Sequence, residues 1–313
     1  MRKSPIHFGP GMSLPEFQAQ YGTEEQCRAA VARLRWPRGV VCPRCGSRGH
    51  CVLGRGQYQC NACRHQVSLT AGTIFHATKL PLTYWFLAMY LLSQNKKGIS
   101  SLALARQLGV SQNTAWQIKH KLMQVMLERE SGRRLGGALQ VDDAYIGGEL
   151  RENKRGRGSP NKIPIVAAVQ TQRGRPKRLK LSRVRAFSQA EIHAWSRHHL
   201  VPGSEVISDG LSCFRAVAQT GCQHSPRIIG SGPRAVEPPE FLWVNTVLGN
   251  LKTTLRGTYH AVRGKHVPRY LAEFQYRFNR RHDLKHLLRR LLYAAVRTPP
   301  MPYRLLTLAE AHW

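Results

Sequence analysis

Two residue patterns in this chain have the spacing for chemistry. "CPRC" (Cys42, Cys45) and "CNAC" (Cys60, Cys63) are CxxC knuckles separated by residues 46–59. Cysteines two residues apart can face one tetrahedral ion, and a second hairpin supplies the other pair. The gap is one residue short of the usual four-cysteine window, which is ordinary variation. With thiolates in all four positions, the zinc is structural. A redox CxxC needs only one pair and a thioredoxin-like setting, which the sequence lacks. His50 and Cys51, between the knuckles, and Cys27, inside a helical stretch, read as bystanders.

The second pattern is acidic. "LQVDDAYIGG" puts Asp142 and Asp143 in mid-strand, where alternation sends them to opposite faces, and "VISDGLSCF" ends another strand at Asp209. Carboxylates on adjacent strands coordinate Mg2+ or Mn2+, which prefer hard oxygen ligands. Two such ions about 4 Å apart would activate a nucleophile and stabilise the leaving oxygen in phosphoryl transfer. Each aspartate alone reads more simply as turn or N-cap chemistry. Charge favours the metal reading for the set, because 48 Lys+Arg stand against 17 Asp+Glu, a formal +31. An excess spread along the whole chain calls for a polyanionic partner, nucleic acid ahead of a membrane surface.

These residues need elements to hold them. Residues 14–37 have helical spacing and stop at Pro37; residues 40–70 are rich in Gly and Cys with short β-prone pieces. Helices are predicted over 81–94, 99–108 and 112–128, then a linker at 131–137. Three strand-like runs, a helix opened by a Ser188/Glu191 capping box, a strand and helices near 243–256 and 267–281 follow. This order predicts a mixed α/β domain after a small metal domain. Within "SLALARQLGVSQNTAWQIKHKLM", Leu102, Ala105 and Leu108 should face inward, and Ser111 should cap a second helix. That helix would present Gln112, Asn113, Thr114 and Lys119 to a DNA major groove, in a helix-turn-helix arrangement. An ordinary helical hairpin has the same pattern. "MRKSPIHFGPGM" has no apolar run to make a signal peptide, and Tyr84–Leu92 is about half a membrane span. The chain therefore reads as cytoplasmic and nucleoid-associated, with no membrane partner and with its eight cysteines in reducing surroundings.

At these residues a resemblance becomes specific. "GTIFHATKLPLTYWFLAMYLL", "VDDAYIGG", "SDG" and "GTYHAVRGKHVPRYLAEFQYRFNRR", with the two knuckles, resemble bacterial insertion-sequence transposases of the DDE superfamily, in the zinc-ribbon-bearing ISXO-like group. The resemblance implies an RNase H-like catalytic core with its first two aspartates on adjacent strands. It makes Asp142, not Asp143, the first metal ligand and Asp209 the second. It also implies double-stranded DNA, both element ends and target, as partner, and a homodimer or higher synaptic assembly. The expected divisions are a helical segment over 1–37, zinc ribbon over 38–75, helix-turn-helix-like region over 76–130, catalytic domain over 131–285 and tail over 286–313.

The third position departs from the pattern. Many relatives carry "NT", an aliphatic residue and a glutamate, whereas "NTVL" puts Leu248 there. Some branches use an asparagine and a lysine, and Asn245 and Lys252, nearly two helical turns apart, suit that alternative. An Asn carbonyl would ligate the ion and Lys252 would hold a DNA phosphate. A capping Asn245 with a solvated Lys252 is the plainer alternative. Asn250, Glu237, Glu240 and Glu273 are rivals for the position. Three functions stay open: a transposase, a zinc-ribbon DNA-binding regulator on an inactive RNase H-like scaffold, and a structure-selective nuclease. Basic loops at Arg151–Gly158 and Arg173–Arg185 would grip DNA backbone.

Overall fold

The computed structural model describes residues 6–147, 162–227, 239–259 and 262–308. It divides into two compact units, one built on Arg129–Asn279 and one from His7–Glu128 together with Arg280–Glu310.

In the second of these, α1 (Leu14–Tyr21) and α2 (Glu24–Arg35) each begin with a reciprocal capping box, Ser13 with Glu16 and Thr23 with Gln26. The three-stranded ribbon β1 (His50–Val52), β2 (Gln57–Cys60) and β3 (Gln66–Ser68) follows, each strand antiparallel to the next. Helix α3 (Leu82–Gln94) buries Trp85, Phe86, Met89 and Leu92. Helix α4 (Ser101–Leu108) ends at Gly109, whose φ of 65° makes the left-handed turn that the helix-turn-helix reading needs. Ser111 then accepts the Thr114 N–H at 3.2 Å to start α5 (Gln112–Ser131). The inward face of α4 differs by one position from expectation. Leu104, Ala105 and Leu108 are buried, while Leu102 is 47% exposed.

The other unit is a five-stranded sheet of β4 (Ala138–Ile146), β5 (Ile163–Gln172), β6 (Arg175–Arg183), β7 (Glu205–Ser208) and β8 (Gln223–Pro226), in the order β6-β5-β4-β7-β8. The first three strands are antiparallel, and β7 and β8 run parallel to β4. The sheet is therefore mixed, as the order of strands and helices in the sequence leads one to expect. On one face Leu139, Val141, Val166, Ala168 and Val206 pack against α6 (Gln189–His199) and the 3-10 turn Ser212–Thr220. Only half of the capping box at α6 forms. Ser188 accepts the Glu191 N–H, but the Glu191 carboxylate accepts from Arg185 N instead of returning to Ser188.

The opposite face carries α7 (Leu242–Thr254) over β4 and β5, and α8 (Val267–Phe278) along β6. Strand β6 is a sheet edge, and side-chain amides of the α8 segment take the part of a neighbouring strand. Leu179 N donates to Asn279 Oδ1 at 2.7 Å, Leu181 N to Gln275 Oε1 at 2.8 Å, and Asn279 Nδ2 to Leu179 O at 3.0 Å. Both amides also donate to buried Glu130, at 2.8 and 3.0 Å. The "FQYRFN" stretch therefore seals the sheet.

Residues 286–313, expected as a tail, contain helices α9 (Leu287–Ala295) and α10 (Tyr303–Leu308). Leu287, Leu288, Leu291 and Leu292 are buried against α2 and α3, and Gln94 donates to Leu284 O at 3.2 Å. A helix with four buried leucines is core, and α9 belongs to the unit of His7–Glu128.

Candidate functional site

Parallel pairing of Gln140 with Ile207 aligns β4 and β7 so that both strands reach their acids at the same level. The carboxylates of Asp142, Asp143 and Asp209 converge, with one oxygen from each within 4.8 Å of the others. Alternation alone would keep Asp142 and Asp143 apart. Instead the Asp142 side chain folds along the strand and its Oδ1 accepts the Asp143 N–H at 2.9 Å. Asp209 Oδ1 accepts Leu211 N at 3.1 Å, and Gly210 at φ 85° turns the chain away from β7.

Burial, then the negative charges of Asp209 and Asp143, push Asp142 up to about 7; the Asp143 N–H and the Lys252 charge oppose the rise. Three carboxylates held this close, one of them raised to about 7 by burial and by its two acidic neighbours, fit a hard divalent cation. Ser208, next to Asp209, bonds His224 Nε2 across the β7/β8 pair at 2.9 Å.

Helix α7 explains the missing glutamate. Its buried stripe is Val244, Val247, Leu248 and Leu251, while Asn245, Gly249 and Lys252 are exposed. Leu248 is thus turned into the core. Asn245 and Lys252, seven residues apart, come within about 20° of the same helix face, whereas Asn250 is about 140° from Asn245. Lys252 acts on Asp142 through its charge. Of the other rivals, Glu240 lines a groove of about 320 Å³ with Ala138, Gln140, Glu205 and Ile207, a groove that none of the three aspartates lines. Glu273 is fully buried, accepting the Tyr259 hydroxyl at 2.5 Å and facing Arg277 at 3.8 Å. Glu237 lies outside the described residues, as does the basic loop Arg151–Gly158.

What sequence reasoning missed is Gln140. This buried residue precedes Asp142 by two on β4, and its side-chain oxygen accepts Trp243 N at 3.0 Å and Val244 N at 3.1 Å, two N–H groups in the first turn of α7. Its one legible signal was the spacing, since a polar residue two before a catalytic strand acid shares its face.

The four knuckle sulfurs also converge within 4.8 Å, with Cys42 to Cys63 at 3.5 Å and Cys45 to Cys60 at 3.6 Å. Sulfurs tetrahedrally bound to zinc at 2.3 Å stand about 3.8 Å apart, so the cluster fits that ion. The Cys63 N–H, ahead of the Ala62 N–H and the neighbouring thiols, draws Cys60 down to about 6, against its burial. Cys51 is exposed on β1 and outside the cluster, and burial pushes Cys27 up to about 12. Both are bystanders to the ion.

The helix-turn-helix residues separate. Gln112 and Asn113 are exposed on the first turn of α5, and Thr114 is half-buried with its hydroxyl 2.9 Å from that of Ser111. Lys119, expected on the DNA-facing side, is 1% exposed. Beyond its first turn α5 is core on several sides, burying Ala115, Ile118, Leu122, Met123 and Met126, and Lys119 falls among them.

Residues 134–279, which include all four residues proposed for the acidic site, match the model of the ISXO2-like transposase domain. Residues 22–66, which include the four cysteines, match that of the transposase zinc-ribbon domain. A protein described as uncharacterized in the transposable element ISH50 of Halobacterium salinarum is 26% identical over 224 residues, 69% of this chain and 70% of that protein. Two solved structures are also similar, the Mos1 strand transfer complex at 12% identity and a pre-cleavage Mos1 transpososome at 10%. They cover 66% and 63% of this chain and 79% and 77% of those chains, each at a TM-score of 0.22. Among the described residues no helix is long and apolar enough to cross a membrane.

Proposed function

We propose that this chain, whose residues 134–279 match the ISXO2-like transposase domain, is a transposase that cuts and joins DNA at the terminal inverted repeats of its own element. The observation that carries the reading is the convergence of three carboxylates, Asp142 among them raised to about 7, beside the charge of Lys252.

Asp142 and Asp209 would hold the cation, Asn245 would offer its neutral carbonyl, and Lys252 would bind a phosphate oxygen. Bound Mg2+ or Mn2+ supplies Lewis-acid polarisation of the phosphodiester and lowers the pKa of the attacking oxygen. Hydrolysis at the element's end frees a 3′-hydroxyl, which then attacks a target phosphodiester, joining to its phosphorus as the target strand's own 3′-oxygen leaves. The four cysteines keep a structural zinc, with no position left for substrate. Gln112, Asn113 and half-buried Thr114 form the reading edge of α5; buried Lys119 does not. Joining two ends requires at least a dimer, and this activity sits with the nucleoid in the cytoplasm. The test is strand transfer by purified protein on DNA carrying the element's ends, with Mg2+ or Mn2+. Asp142→Asn, Asn245→Ala and Lys252→Ala should each reduce joining at least 100-fold. Joining that survives Asn245→Ala would remove that residue from the ion's shell.

One observation favours a second reading. With Leu248 in the core, the family's usual acid is missing from the site. A DNA-binding regulator on an inactive scaffold would bind the ends and cut in neither metal.

A further inference from the structure

Helix α7 has to present Asn245 and Lys252 to acids on another element, and its own sequence does not anchor its start. Phe241 at the N-cap gives no side-chain hydrogen bond, so the first-turn N–H groups need acceptors from elsewhere. Gln140 provides one. A single side-chain atom receiving two backbone N–H groups, at 3.0 and 3.1 Å, must be the carbonyl oxygen, so the amide's orientation is settled by its donors. The contact is shielded, because Gln140 is 8% exposed and Val244 fully buried. A second pin lies beside it, where the Trp243 indole donates to Gly174 O at 2.9 Å, in the β5–β6 turn. Helix α7 is therefore fixed at its N-terminal end to the strand that carries Asp142, two residues away on the same face.

We infer that Gln140 is a positioning residue for the metal centre: its carbonyl clamps α7 to β4 and so sets where Asn245 stands relative to Asp142. This rests on the reading of Asp142 and Asn245 as ligands. Neither charge nor catalysis is required of Gln140, only its acceptor. Methionine, of similar length and without that oxygen, should release the clamp; glutamate, which keeps an acceptor oxygen, should retain it.

The test uses the full-length protein freed of divalent ions at the acidic site, with its zinc retained. Hydrogen exchange at the Trp243 and Val244 amides should quicken at least tenfold in Gln140→Met and stay near wild type in Gln140→Glu. Mn2+ affinity should fall about tenfold in Gln140→Met, the scale of outer-shell losses. Combining it with Asn245→Ala should add nothing to either loss, because both act through one ligand. Should Gln140→Met fail to fold, Gln140→Ala, which lets water reach the two N–H groups, takes its place in the same measurements. Unchanged Mn2+ affinity with only a lower melting temperature, or losses that add fully in the double variant, would overturn the inference. Asp142→Asn separates the two levels. If it leaves Mn2+ binding intact, the reading of the site falls; if it abolishes binding while Gln140→Met behaves as wild type, only the role of Gln140 falls.

Discussion

Asp142 is held where an isolated carboxylate is poorly stable, half out of water beside two like charges, and the protein answers with Lys252 and one backbone N–H. A cation completes that balance, which is why the acids and not the basic residues mark the site. Leu248 shows the opposite economy. Because it lies on the buried stripe of α7, restoring the family's acid by Leu248→Glu would bury a carboxylate among Val244, Val247 and Leu251. The expected outcome is a loss of about 3–5 kcal/mol, the scale of an uncompensated buried charge, seen as a melting temperature lower by roughly ten degrees, with no gain in joining. A variant that joined faster would mean that position 248 faces the metals. His199 offers a pH test elsewhere in the unit. Burial, then the charges of Lys180, His198 and Arg134, holds it down to about 3. Its folded pKa is below its unfolded one, so the unfolded chain gains the proton first on acidification. Stability is kept above about pH 6.5 and lost as pH falls toward 3, by at most ~1.4 kcal/mol per pH unit. Melting curves from pH 7 to 4 should be flatter for His199→Gln than for wild type. The aspartates and cysteines were legible because their chemistry needs a spacing. Lys119 was not, because helical periodicity marks one inward stripe and cannot show a helix enclosed on several sides.

At the scale of elements, the ribbon depends most on its ion. Strands β1–β3 are three or four residues long with little buried apolar surface, so the four thiolates must supply what a core would. One zinc per chain is expected by elemental analysis. Removing it by chelation should open residues 40–70 to limited proteolysis; full resistance after chelation would contradict a structural metal. Element positions were largely readable, since α3 to α8 and β4 to β7 fall where hydrophobic spacing and turn residues put them. The C-terminal helix α9 carries a readable pattern too, Leu287, Leu288, Leu291 and Leu292 at helical spacing, yet nothing in that pattern names the surface it joins. Gln275 and Asn279 are a harder case. Amides four apart on a helix look the same whether they meet water or seal the edge of β6, and only the sheet order distinguishes them. Gln140 belongs with them, as its worth lies in two N–H groups about a hundred residues away.

Across the whole molecule, a formal +31 accompanies a site built from carboxylates. Such a field draws DNA in and makes affinity fall steeply with salt, while the acids reserve one point on the surface for cations. Three of the 17 acids stand together on two strands that adjoin in the sheet, and α7, clamped over β4, brings a lysine's charge to them. That coincidence is the centre of the account, and end cleavage tests it most directly. Purified protein is incubated with labelled DNA bearing the element's terminus, with Mg2+ or Mn2+, and the new ends are mapped. A metal-dependent cut at the terminus leaving a 3′-hydroxyl is expected, lost in Asp209→Asn although the variant still binds the same DNA. Wild-type protein that binds the terminus and cuts it in neither metal would contradict it.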